Sequence, residues 1–103
     1  MPREELFGLT SQMRRAAAAV PSNIAEGHAR SQRGDFIHHL SMARGSLAEL
    51  ETLLETLLDA CESLSYFGTD QVTRARGLAD EVRRMLGSMI MRLKAKRAPR
   101  KSG

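Results

Sequence analysis

Apolar residues recur along this chain in steps of four and three, in three separate runs. The first is Leu9, Met13, Ala16, Val20 and Ile24, which predicts a helix from about Leu9 to Glu26. The second is Phe36, Leu40, Ala43, Leu47, Leu50, Leu54, Leu57 and Cys61. It keeps its alternation for more than three heptads, the pattern of a coiled-coil-type seam, and predicts a helix from about Gln32 to Ser63. The third is Ala75, Ala79, Val82, Leu86, Met89 and Leu93, within a helix from about Asp70 to Lys94. Ile37, Leu53, Leu58 and Ile90 lie beside these seams and widen them, so they are expected to line an apolar groove open to association. No segment has the alternating period of a strand.

The breaks between the runs carry turn chemistry. Pro2 opens a short segment through Phe7, with Gly8 as its expected break and Glu4 and Glu5 suited to the positive end of a helix dipole. Gly27 is placed to stop the first helix, Ser31 to cap the second and Thr69 to cap the third. Pro21 falls inside the first helix, where it removes one backbone hydrogen bond and predicts a kink. Ser22 and Asn23 can satisfy freed backbone groups, and Asn23 with Glu26 has capping-box spacing. Gly45 and Ser46 lower helix propensity locally and would let a neighbouring helix approach closely. The expected fold is all-α, an up-down antiparallel helical bundle occupying 1–94, with a flexible basic tail over 95–103.

Composition narrows the function classes. A chain of 103 residues is one domain with one modest core. No run of apolar residues is long enough for a membrane span. Cys61 is the only cysteine, so no intrachain disulfide can form, which suits a reducing cytoplasm. Charge is unevenly spread: residues 34–70 hold one arginine against seven acids, −6, and residues 71–103 hold ten basic residues against two acids, +8. Glu51, Glu55, Asp59 and Glu62 form an acidic stripe expected to face Arg74, Arg76, Arg83 and Arg84 across an antiparallel pair of helices.

Several motifs together resemble the small bacterial four-helix bundle proteins, the 23S rRNA intervening-sequence protein family. They are Leu9 to Ala17, the run Val20-Pro21-Ser22-Asn23-Ile24-Ala25-Glu26-Gly27, then Arg30, Ser31 and Asp35-Phe36. The stretch Ala43-Arg44-Gly45-Ser46-Leu47-Ala48-Glu49-Leu50-Glu51-Thr52 completes the set, and the likeness covers about residues 3–94. The resemblance implies a four-helix bundle that assembles into a ring-like homopentamer, with no known enzymatic activity. Some members are encoded within rRNA insertions, and a related branch serves as a basic, nucleic-acid-binding accessory subunit of retroelement reverse transcriptases. Members usually carry a further amphipathic helix before the segment matching Pro2 to Leu6. Either the true start lies upstream or this is a three-helix variant.

The chemistry-bearing residues point the same way. Asp35-x-x-His38 is half of a carboxylate–histidine pair, but two such motifs and further glutamates are needed for a di-metal bundle. His38 and His39 are adjacent and do not share a face with His28, so no metal and no cofactor is expected. Ser22, Asn23 and Glu26 could line a small pocket, but no nucleophile–base pair accompanies them, so they read as structural and no small-molecule substrate is expected. The primary expectation is a non-catalytic interaction protein that self-assembles, with a pentamer suspected. The alternative is a nucleic-acid-binding factor using Arg14, Arg15, Arg92, Lys94, Lys96, Arg97, Arg100 and Lys101 on RNA or DNA backbone phosphates. No aromatics are interleaved with these cations, so such binding would be nearly indifferent to sequence.

Overall fold

A computed structural model describes residues 3–30, 32–64 and 69–97. They form three helices, α1 (Arg3–Ala29), α2 (Arg33–Leu64) and α3 (Thr69–Arg97), and no strand among the described residues. The expectations for Pro2, Ser31, Pro99, Arg100, Lys101 and the turn 65–68 lie outside these residues. So do those for the side chains of Cys61, Glu62 and Arg97. No helix is long and apolar enough to cross a membrane, among the described residues.

α1 is longer than the sequence predicts, because neither Gly8 nor Gly27 ends it. Gly8 costs the helix some propensity, but its surroundings are open and the helix passes through it. Pro21 is exposed, so its ring projects into solvent and not into the core. Val20 is buried and Ile24 half-buried, so residues on both sides of the proline pack on the core, and the helix runs through it without interruption. Pro21 deprives the Ala17 carbonyl, four residues back, of its amide donor. Asn23 serves a different acceptor: its Nδ2 donates to the Ala19 carbonyl at 2.9 Å. The capping box does not form, since no helix begins at Asn23, and Glu26 instead pairs with Arg30 at 2.8 Å.

Gly27 is not the stop of α1. It is buried within the helix at the crossing with α2, where a Cβ would lie 2.7 Å from His39 Cβ and 3.1 Å from Phe36 Cδ1. Its missing side chain is therefore what lets the two helices close. The turn after it is fastened by the Arg30 amide donating to the Gly27 carbonyl, and α2 begins as the Phe36 amide bonds the Gln32 carbonyl. Gly45 has the opposite setting. A Cβ there would meet nothing within 4 Å, so no neighbouring helix closes on Gly45 within the chain, while Ser46 is half-buried.

α2 is the central element. Leu40 and Ala43 are wholly buried, and Ile37, Leu47 and Leu54 nearly so, which places the predicted seam on the core. Ala16 and Val20 of α1 are likewise buried, as are Ala79, Leu86 and Ile90 of α3. Helices α1 and α3 both pack on α2, and neither packs on the other. Their contact lines on α2, marked by Phe36 and His39 on one side and by Arg44, Glu51 and Glu55 on the other, lie about a quarter-turn apart. The space between α1 and α3 is thus left open along a molecule 63 Å long.

α3 differs from its predicted seam. Ile90 belongs to the core, whereas Val82 is exposed and Met89 only half-buried. The reason is that α3 carries two adjoining apolar stripes. One contains Ala79, Leu86 and Ile90 and packs on α2; the other contains Leu78, Val82 and Met85, and Met89 lies between the two, packed partly on the core. Ile37 and Ile90 therefore do not line an open groove, and Leu53 and Leu58 are half-buried. Helix α3 also continues past Lys94 to Arg97, so the first residues of the expected tail are helical.

Candidate functional site

Two surfaces stand out, one apolar and one charged. The apolar surface is the second stripe of α3. Leu78 is 56 % exposed, Val82 37 % and Met85 66 %, at the four–three spacing that keeps residues on one face of a helix. Val82, Met85 and Met89 border a shallow concavity whose polar margin is Arg84, Ser88 and Arg92. The stripe adjoins the core face of α3. Exposed Met42, Gly45 and Glu49 form a smaller feature on the outer face of α2, so the Gly45-Ser46-x-x-Glu49 motif is turned mostly outward.

The charged surface runs along the edge where α2 meets α3. In α3 the positions 76, 83, 87 and 94 fall in steps of seven and four on one side of the helix. The half nearer the start of α3 is neutralised. Arg76 donates to Glu55, and Arg83 to Glu51 and Asp80. Arg84 donates to Asp80 from Nε at 3.0 Å and also from Nη2. The predicted facing of acidic and basic stripes is realised in the Glu55–Arg76 and Glu51–Arg83 pairs, whereas Arg84 stays with its own helix and Arg74 is exposed. Such exposed pairs set register more than they stabilise.

Asp80 sits between two guanidinium groups, and the Arg84 hydrogen bond is the main reason its carboxyl is held below the ordinary aspartate value. Arg83 is raised chiefly by its hydrogen bond to Glu51, and Arg84 by its bond to Asp80. A carboxyl depressed in the folded state contributes stability that is present above its unfolded value, near 4, and is lost as pH falls through the folded value. Acidification from pH 5 to 2 should therefore lower the melting temperature of the native protein more than that of Asp80→Asn. Superimposable curves would mean that this cluster contributes nothing.

Beyond Arg83 the same edge changes character. Arg44 of α2 lies across Gly87, where a Cβ would stand 3.4 Å from Arg44 Nη1 and 3.9 Å from its Cδ. Further on come Lys94 of α3 and Arg33 of α2, both exposed. None of Arg33, Arg44 and Lys94 has a carboxylate partner among the described residues. Arg92 and Lys96 are also exposed on the last turns of α3.

Of the expected phosphate-binding residues, the structure gathers Arg92, Lys94 and Lys96 at this end, with Arg97 in the final turn of α3. It does not bring Arg14 and Arg15 to them. The Gly27 crossing sets Arg14 opposite about position 50 of α2, and the Arg44–Gly87 contact sets Lys94 opposite about position 37; the two levels are roughly 20 Å apart. Arg33 and Arg44 were missed in the sequence because each is a single cation in an otherwise acidic stretch. Only the antiparallel register shows that they meet the basic end of α3.

The histidines are close to this end without forming a ligand set. His28 packs edge-on against Phe36, ring centroids 6.1 Å apart, and His38 against His39 at 5.6 Å. His39 Nδ1 lies 3.0 Å from the Asp35 carbonyl, which only accepts, so this nitrogen carries the hydrogen. No three His, Cys, Asp or Glu side chains converge as a metal site among the described residues.

A search of curated proteins finds no match. A family model does match, over residues 1–88, and takes in the Pro21 run, the Gly27 crossing and the α2 motif around Gly45. On that match, together with its all-α architecture, the chain belongs to the family of the 23S rRNA-intervening sequence protein.

Proposed function

We propose that this protein is a non-catalytic helical interaction module that assembles with copies of itself. The observation that carries the reading is the second apolar stripe of α3, Leu78, Val82 and Met85, exposed among the described residues, with Met89 at its margin packed partly on the core. Soluble monomers rarely expose a contiguous apolar patch of this kind, and patches rimmed by polar residues mark association surfaces. The ring-like pentamer implied by the resemblance is the stoichiometry we propose. Light scattering at micromolar concentration should give a multiple of the monomer mass. The double variant Leu78→Lys and Met85→Lys should shift it toward the monomer with helicity retained, because both side chains are exposed. A monomeric native protein would refute the reading.

A second reading is favoured by a separate observation, the concentration of cations at one end of the bundle. Positions 33–44 of α2 and 84–97 of α3 together hold seven basic residues and one acid, Asp35. A pole of this kind attracts polyanions, and repetition in an assembly would add avidity. On this reading the protein is an accessory factor for RNA or DNA, held by backbone phosphates.

A further inference from the structure

The cationic pole contains a more specific feature than its net charge. We infer that Arg33, Arg44 and Lys94 form a phosphate-binding track along the α2–α3 edge, for the backbone of a single-stranded nucleic acid. The inference rests on the second reading above and names the site that reading requires.

Three observations support it. First, the edge is divided. Its other half has every arginine of the 76 and 83 positions matched to Glu55, Glu51 or Asp80, whereas this half has cations and no matching carboxylate among the described residues. Cations already paired have little to offer a phosphate, so the unpaired half is where counterions collect and can be released on binding. Second, Arg44 lies at the seam of the two helices. Gly87 leaves no side chain beneath it, and the arginine is exposed without a carboxylate partner among the described residues, so its fork of donors is open to phosphate oxygens. Third, the three cations come from two helices and are spread along the edge. Counting 1.5 Å per residue from the Arg44–Gly87 level, Lys94 lies roughly 10 Å further on and Arg33 roughly 16 Å. That is a line, suited to a chain of phosphates more than to a single small anion. No exposed aromatic lies along it to stack on bases, so the backbone is what it would read.

The test is a fluorescence titration of the full chain with a labelled single-stranded RNA of mixed sequence, repeated across a salt series. The double variant Arg33→Gln and Arg44→Gln should weaken binding at least about tenfold at about 50 mM salt, and reduce the slope of log K against log salt by roughly 1.4, two phosphates' worth. Lys94→Gln should take off a further half of that slope change. Arg14→Gln with Arg15→Gln, on α1 and at a level about 9 Å from Arg44 and about 20 Å from Lys94, should leave the slope unchanged. Circular dichroism on each variant confirms that the helices persist. If the native protein binds RNA but the Arg14 and Arg15 variant loses the slope while the Arg33 and Arg44 variant keeps it, the track is overturned and nucleic-acid binding stands. If the native protein binds no RNA at low salt, both fall. If the Arg33 and Arg44 variant changes the oligomer's mass and not its RNA affinity, the edge is a protein interface and the track is overturned.

Discussion

Leu40→Ala should remove about 2–5 kcal/mol of stability, the cost of losing a buried leucine's methyl groups and leaving a cavity. Leu40 is 0 % exposed and is the largest fully buried side chain among the described residues. It sits on the central helix, within the cluster that joins Val20 of α1 to Leu86 and Ile90 of α3. A cavity there cannot be filled by one helix sliding inward without opening the other contact. Domains of this size have only about 5–15 kcal/mol to lose, so the variant should be far less resistant to urea. Phe7→Ala is the control. Nearly three quarters of that side chain is in solvent, and it lies outside the α3 stripe, so its loss should leave stability nearly unchanged. Equal effects at Leu40 and Phe7 would mean that the core has been misplaced.

Two glycine-to-alanine substitutions should act with opposite signs. In a helix interior alanine is favoured over glycine by about 1 kcal/mol. At Gly45, where a Cβ meets nothing within 4 Å, that gain should be realised and the melting temperature should rise by several degrees. At Gly27 the new Cβ would stand 2.7 Å from His39 Cβ and 3.1 Å from the Phe36 ring. Cβ of His39 is fixed to the backbone and cannot swing away, so α1 and α2 must separate. Overpacking of this kind costs typically about 1–3 kcal/mol, which outweighs the propensity gain. Gly27→Val should be worse still, because its branched side chain adds bulk at the same crossing. Thermal melts of the three variants at matched concentration decide the matter. A stabilised Gly27→Ala would show that the crossing is looser than the structure has it.

These two glycines show what the sequence makes legible and what it does not. The steps of four and three place Leu40, Ala43, Leu47 and Leu54 on the core side correctly, because helical period depends only on local order along the chain. The same logic correctly gives three helices and the facing of Glu51 and Glu55 with Arg83 and Arg76. It cannot tell a glycine that ends a helix from one that is crossed by another helix, since both are simply residues without a side chain. Gly27 reads as a stop and is a crossing; Gly45 reads as a crossing and faces open space. The α3 seam holds at Ala79, Leu86, Met89 and Leu93 but misses at Val82, for a related reason. Leu78, Val82 and Met85 lie so close in angle to Ala79, Leu86 and Ile90 that period alone merges two stripes into one. Only the position of α2 separates them. The charged edge is legible in part: the basic end of α3 is obvious, but Arg33 and Arg44 join it only through long-range register.

The arrangement in which α1 and α3 each touch α2 and not each other bears on how the molecule comes apart. Two helix pairs share one central helix. Loss of α1 would uncover its line on α2 around Phe36 and His39, but would leave the Glu51–Arg83 edge and most of the Leu86 and Ile90 packing in place. All three helices share one core cluster, yet α1 and α3 reach it only through α2. Backbone amides of α1 and α3 can exchange with solvent through separate partial openings, while those of central α2 are released only when both neighbours have left.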